Sequence, residues 1–359
     1  MSLVRFTPAT LHAFAAACFE AAGMTTMDAA CVADNLLLAD LRGVDSHGVT
    51  RVPIYAERLR RGAVAADARP VLLRGTGRAA RLLDGCNAMG AVVGHHAMAE
   101  AIAAARDHGI GIVAACRSNH FGICADYALR AAEAGMISLV ASNTARSMAI
   151  WGAREPALGT NPIAFGIPRT DGPHLVLDMA TSVVARGKII ERAKRGEAIP
   201  DGWALDSAGR PTTDAQSAVA GVVLPFAGPK GSGLALMVEA LGGVLSGAAI
   251  AAGIGNLYGE FDRAQDIGHV FMALDPDAFI GRAAFAQRMA GLAAEMKALA
   301  RAEGVAEILL PGEIEAGLTV RRRREGIALP PNVVDELRQK ATAAGIPPPE
   351  PLPEHSHDP

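Results

Sequence analysis

Apolar residues recur at three- and four-residue steps through Leu11, Phe14 and Cys18, and again through Val32, Leu36 and Leu37. That periodicity predicts helices from Thr7 to about Gly62, the first beginning near Thr7-Pro8. Between Pro70 and Asp84, short apolar runs flank Gly75-Thr76-Gly77 and predict two strands joined by a tight turn. Gly90 to Asp107 is alanine-rich and helical. After Gly109 the texture changes to β-rich runs bounded by Gly, Pro and Asn: G-I-G-I-V-A-A-C, M-I-S-L-V-A-S-N, N-P-I-A-F-G-I-P and H-L-V-L-D-M-A. The middle of the chain is therefore expected to hold the main sheet. Helical patterning returns from Phe279 to about Ala300 and from Asn332 to Gly345. A Pro-rich tail with His355 and His357 follows and is expected to be disordered.

Composition narrows the class. The 359 residues are 50% hydrophobic and 20% charged, enough apolar material for one large or several smaller domains. A net charge of -3 provides no basic field for nucleic acid or anionic membrane. Cys18, Cys31, Cys86, Cys116 and Cys124 are irregularly spaced, with no C-x-x-C, and read as thiols of a reducing cytoplasm. The N-terminus lacks the layout of a secretory signal. Ala240 to Leu257 carries no charge, but its glycines and bordering Glu239 favour a buried, bent helix and loop over a membrane span.

Two glycine motifs invite a nucleotide reading. Gly75-Thr76-Gly77-Arg78-Ala79-Ala80 matches G-x-G-x-x-G/A, but the A-A-R-L-L-D-G that follows is too short for the required helix and reads as a return strand. Gly228-Pro229-Lys230-Gly231-Ser232-Gly233 has the wrong order for a Walker A loop. Backbone N–H groups at a helix start beside a lysine still suit a phosphate, and a plain turn is the alternative.

The densest chemistry lies in Leu41 to Pro53, where Asp45, Ser46, His47 and Arg51 sit among glycines. A 2-hydroxy acid dehydrogenase needs a base for the hydroxyl proton, and imidazole titrates in that range. Arg51 offers a planar fork for a carboxylate, and Ser46 or Asp45 could fix the His47 tautomer. Alone, Ser46 as a helix cap and His47 as a surface histidine explain the same residues. Ser118 to Gly122, Leu158 to Pro162 and Leu177 to Ser182 are further polar clusters at the ends of apolar runs, each also readable as turn chemistry. His95-His96 and the tail histidines lack the spaced partners of a metal site. No G-x-S-x-G elbow supports a hydrolase.

Together these stretches resemble the malate/L-lactate dehydrogenase family of the non-Rossmann type, which includes ureidoglycolate and sulfolactate dehydrogenases and ketimine reductases. The resemblance rests on R-G-V-D-S-H-G-V-T-R at 42–51, S-N-H-F-G at 118–122, L-G-T-N-P-I-A-F at 158–165 and D-M-A-T-S-V-V-A-R-G-K at 178–188. It extends through I-P-D-G-W-A-L-D at 199–206, G-P-K-G-S-G-L-A at 228–235, I-G-H-V-F-M-A-L-D-P at 267–276 and P-G-E at 311–313. The fold so implied is α/β, with nicotinamide bound on a largely antiparallel central sheet and a helical region built from both chain ends. The corresponding division is 1–75 (N-terminal helical region), 76–289 (nicotinamide-binding region), 290–345 (C-terminal helices returning to the N-terminal region) and the tail 346–359.

The resemblance also implies His47 as proton donor and acceptor, Ser46 as its relay partner, and Arg51 and Thr160 as substrate contacts. It places NAD or NADP, with NAD favoured, along His120, Phe121, Gly122, Ile123 and Cys124, along Asp178, Met179 and Ala180, and along Pro229, Lys230, Gly231, Ser232, Gly233 and Leu234. It further implies a homodimer. Ketimine reductases resemble A-x-G-D where this chain has Ala185-Arg186-Gly187-Lys188. An ammonium there suits an anionic 2-oxo acid better than a cationic imine, so Lys188 joins the catalytic candidates. The expected activity is hydride transfer between NAD(P) and a small 2-hydroxy or 2-oxo acid. Reduction of cyclic or N-methyl imino acids is the alternative on the same scaffold, and small-molecule binding without turnover is the non-enzymatic one.

Overall fold

A computed structural model of the chain describes residues 3–353, so His355 and His357 lie outside the described residues. Strand β1 (Val4–Phe6) precedes helices α1 (Pro8–Ala21) and α2 (Thr26–Leu41), and two short turns of 3-10 helix, Asp45–His47 and Val49–Arg51, lead into α3 (Val52–Arg60). Thr7 and Thr25 cap α1 and α2, each hydroxyl accepting the N–H three residues on, at 3.0 and 3.2 Å. Next come β2 (Val71–Arg74), β3 (Ala80–Asp84), α4 (Gly90–His108), β4 (Ile110–Ser118), α5 (Cys124–Glu133), β5 (Ile137–Ser142), β6 (Ile163–Ile167) and β7 (Leu175–Met179). A small lobe holds α6 (Arg186–Arg195), β8 (Ala204–Leu205), β9 (Pro211–Thr212), α7 (Ala215–Ala220) and β10 (Val222–Val223). The chain closes with α8 (Pro229–Glu239), β11 (Ile267–Leu274), α9 (Arg282–Lys297), α10 (Glu313–Glu325), β12 (Ile327–Leu329) and α11 (Pro331–Ala344).

The central sheet runs β2-β3-β4-β11-β5-β6-β7, and only the β3–β4 pair is parallel. It is a mixed, largely antiparallel sheet, as expected. The Gly75-Thr76-Gly77 motif forms the β2–β3 turn, with φ of +86° and +70° at the two glycines, so it opens no helix. Alternation along the strands divides the core between two faces. Phe271, Ala273, Val113, Val140 and Ala164 face α4 and α5, whereas Val270, Ala141 and Ile163 pack with Val238 of α8.

The two chain ends meet. β1 pairs antiparallel with β12, and Phe6, Leu11, Phe14 and Leu36 share a core with Val334, Leu337 and Ala341 of α11. Residues 346–353, the first part of the tail expected to be disordered, touch the terminal core and β1 at two points. Ile346 packs on that core, and the Leu352 N–H donates to the Arg5 carbonyl at 2.7 Å. Ala240–Val244 continues α8 as a π turn, and no helix among the described residues is long and apolar enough to cross a membrane.

Candidate active site

The glycine-loosened stretch after α2 folds into two single turns because Asp40 reaches forward from the end of that helix. Its side chain is fully buried and its Oδ2 accepts the Val49 N–H at 2.8 Å, while Oδ1 has no partner. Burial, reinforced by nearby Asp45, pushes this carboxyl up to about 8. The fit is close: a Cβ on Gly48 would stand 1.7 Å from Asp40 Oδ1, so only glycine lets the chain pass. From the outside Arg322 of α10 pairs with Asp45 and donates to the Asp40 carbonyl.

This loop presents His47. Its Nδ1 lies 2.9 Å from Ser46 Oγ, and Nε2 has no hydrogen-bond partner among the described residues. Asp45, the other candidate for fixing the tautomer, is occupied by Arg322 instead. Burial, then the Arg51 guanidinium, push the His47 imidazolium down to about 3, so the ring is a free base at neutral pH. Arg51 has no carboxylate partner among the described residues, and its buried Nε is unsatisfied. Its guanidinium carbon lies 5.5 Å from the centre of the Tyr258 ring.

His120 stacks on His47 with ring centres 5.4 Å apart. The Gly122 N–H donates to His120 Nδ1 at 3.3 Å, which makes Nδ1 the bare nitrogen, so the Tyr55 hydroxyl at 2.5 Å donates to it as well. Burial first, then His47 and Arg51, hold His120 well below the ordinary imidazole value. The backbone N–H of His120 donates to Gln265 Oε1 at 3.1 Å.

The three segments expected at the cofactor form one connected surface. Phe121 is buried against His269 and Tyr127, and Ile123 and Cys124 are buried at the start of α5. Asp178 Oδ2 accepts the Ala125 N–H at 2.8 Å, which ties β7 to that helix start. Beyond Met179 and Ala180, Thr181 donates its N–H to the Thr160 carbonyl at 2.9 Å and accepts the Phe226 N–H at 3.1 Å. Thr160 and β7 thereby reach the start of α8. There Gly231 and Ser232 are buried, Ser232 Oγ accepting the Trp151 N–H at 2.9 Å, while Pro229, Lys230 and Gly233 are exposed. Leu234 and Met179 pack on the same apolar cluster. Two observations suit a polyhydroxylated phosphate ligand here. Ser182 Oγ is buried without a partner, and a Cβ on Gly233 would meet nothing within 4 Å, leaving the α8 backbone open beside Lys230.

Lys188 is not joined to the His47 cluster by any hydrogen bond or ion pair among the described residues. It stands exposed in the first turn of α6, two residues after Arg186, where the positive end of the helix dipole disfavours a cation. Neither capping nor an ion pair accounts for it. Sequence reasoning missed Asp40, Tyr55, Arg58, Tyr258 and Gln265. The spacing of Arg51, Tyr55 and Arg58, four and three residues apart on one helical face, was the available signal for two of them.

The profile of malate/L-lactate dehydrogenase matches residues 6–338. An L-sulfolactate dehydrogenase of Methanothermobacter thermautotrophicus is 40% identical, with 85% of this chain and 87% of that protein covered. A malate dehydrogenase of Pyrococcus abyssi is 39% identical over 96% of each chain. The solved sulfolactate dehydrogenase of Methanocaldococcus jannaschii superposes with a TM-score of 0.90 at 35% identity, covering 95% of this chain and 98% of that one. The delta1-piperideine-2-carboxylate reductase of Pseudomonas syringae pvar. tomato gives 0.83 at 30% identity, covering 94% and 99%.

Proposed function

This chain belongs to the malate/L-lactate dehydrogenase family and is an NAD(P)-dependent hydroxy acid dehydrogenase; from that premise we propose that Ser46, His47 and Arg51 carry its chemistry on a substrate with a second anionic group. The observation that carries the assignment is the unpartnered Nε2 of a neutral His47 beside the unpaired guanidinium of Arg51.

Arg51 holds the substrate carboxylate in its fork, with Thr160 on the same side. His47 Nε2 takes the hydroxyl proton, which requires the tautomer whose Nδ1–H donates to Ser46 Oγ. In reduction His47 returns that proton, and a substrate carboxylate neutralising Arg51 lifts one of the two causes that depress the imidazolium. A nicotinamide bound there would supply the hydride acceptor or donor. His120 to Cys124, Asp178 to Ala180 and Pro229 to Leu234 would hold it. Lys230 is the one cation in those three segments, and Asp178 stands among them, which supports NAD over NADP.

The malate and sulfolactate dehydrogenases to which this chain is similar support an anionic second group. This reading favours oxaloacetate over pyruvate and leaves imino acids as poor substrates. The test assays these with NADH and NADPH by loss of nicotinamide absorbance. Faster turnover of an imino acid than of any 2-oxo acid would reverse the substrate assignment.

A homodimer is supported by two surfaces. Met237, Leu241, Val244 and Leu245 form an exposed apolar stripe at helical spacing along α8 and its π turn. α9 spans 16 residues with Ala293 as its one buried side chain, too little for an isolated helix in water. Sedimentation giving a monomer would remove this part. Five free thiols support a reducing cytoplasm.

A further inference from the structure

Arg58 is the largest of the fully buried side chains, at 1% exposure, and it has no carboxylate within ion-pair distance among the described residues. Its guanidinium is spent on backbone carbonyls of one loop. Nη1 donates to Asn256 O and Leu257 O, each at 3.3 Å, and to Glu260 O at 2.6 Å, and Nη2 donates to Arg263 O at 3.1 Å. A buried cation held by carbonyl dipoles and the Phe261 ring 6.0 Å away, with its Nε left unsatisfied, is a costly way to pin a loop, and apolar packing would do for stability alone.

What that loop carries points to its use. Tyr258, 60% exposed, lies over the Arg51 guanidinium, and Gln265, at the loop's end, accepts the His120 backbone N–H. Arg51, Tyr55 and Arg58 leave the same face of one helical run, so a single rigid element sets the carboxylate fork, the His120 contact and the loop anchor. The Tyr258 ring shields one face of the guanidinium from water and leaves its N–H edges free for a carboxylate.

We propose that Arg58 is a positioning residue for substrate binding, acting through Tyr258. By pinning the 256–263 loop it holds the aromatic ring over Arg51, and the pair determines affinity for the 2-oxo acid carboxylate. The inference rests on the assignment of Arg51 to that carboxylate.

The experiment is a double-mutant cycle in the full chain with oxaloacetate as the probe. Arg58→Lys removes the planar fork, since a point ammonium cannot serve four carbonyls, and Tyr258→Ala removes the ring. Each is expected to raise KM roughly tenfold with kcat changed much less, and the double variant to add little, because both break one coupling. Tyr258→Phe should keep the wild-type KM, and cofactor affinity by fluorescence titration should hold throughout. Arg58→Lys with a lowered melting temperature but unchanged KM, or KM effects that multiply in the double variant, would overturn the proposal. Should Arg58→Lys fail to fold, Tyr258→Ala decides alone, since an exposed ring can be removed safely, and an unchanged KM there refutes it. Arg51→Lys separates the two claims. If it leaves KM unchanged the carboxylate assignment itself fails. If it raises KM while the Arg58 and Tyr258 variants do not, only the present inference fails.

Discussion

The centre of the sheet and the loop after α2 both hold a histidine pushed down to about 3, mainly by burial, yet the two regions use it differently. His269 on β11 is fully buried, with Nδ1 on Ser142 Oγ and Nε2 on Ser118 Oγ, both at 2.8 Å, and its ring stacks on Phe121 at 4.3 Å. Every polar atom of that ring is satisfied. His47 has the same depressed basicity but one satisfied nitrogen, an open Nε2 and an unpaired arginine beside it. A perturbed pKa therefore does not separate a structural histidine from a reactive one. The unmade hydrogen bond does.

Replacing His47 with Ala should sharpen the contrast most, lowering kcat by roughly 10²–10⁴ with cofactor affinity intact. Steady-state kinetics beside a nicotinamide fluorescence titration checks this, and an unaffected kcat would remove His47 from the chemistry. His269→Leu should act on the other side of the comparison. Two buried serine hydroxyls lose a partner but keep a backbone carbonyl, Asn143 O for Ser142 at 2.8 Å and Asn119 O for Ser118 at 3.4 Å, so urea unfolding should show a loss of about 1–3 kcal/mol in all. Turnover per folded molecule should stay near wild type. If His269→Leu cut kcat as deeply as His47→Ala without destabilising the protein, the comparison would collapse.

The same contrast explains how much could be read from residue order. Periodicity was enough for α1, α4, α11 and the central strands, because burial on one face writes itself into the pattern. The β1–β12 pairing that joins the chain ends was not legible: three-residue strands carry no period, and their partners lie at opposite ends of the sequence. α10 was equally silent, being polar with no buried residue. At the site, Ser46, His47 and Arg51 were visible as a dense motif. Asp40 acts through a backbone atom nine residues on, and Arg58 and Gln265 through backbone atoms of distant segments, and a backbone partner leaves no residue-type signature.

Arg51→Lys tests the anion side of the loop. The ammonium keeps the charge and loses the bidentate edge, so KM for oxaloacetate should rise about tenfold or more while kcat falls less. An equal fall in kcat and kcat/KM with KM unchanged would mean that Arg51 acts only in the transition state, and the ground-state clamp would have to be abandoned.

A pH-dependent effect belongs to Asp40, and its sign is opposite to that of the histidines. A carboxyl raised from an ordinary value near 4 to about 8 binds a proton in the folded chain that the unfolded chain has released across that interval. Between those values stability therefore falls as pH rises. His47 and His269, depressed from 6.5 to about 3, stay neutral while the unfolded chain takes up protons, so their contribution is lost as pH falls from 6.5 toward 3. Asp40→Asn keeps an oxygen for the Val49 N–H and removes the titration. Relative to wild type, the variant should gain stability steadily from pH 5 to pH 8, by up to about 1.4 kcal/mol for each pH unit, an upper limit set by one proton. Parallel pH profiles of urea midpoints would show that Asp40 is already ionised at pH 5, and that the loop under His47 is held by a carboxylate instead of a neutral acid.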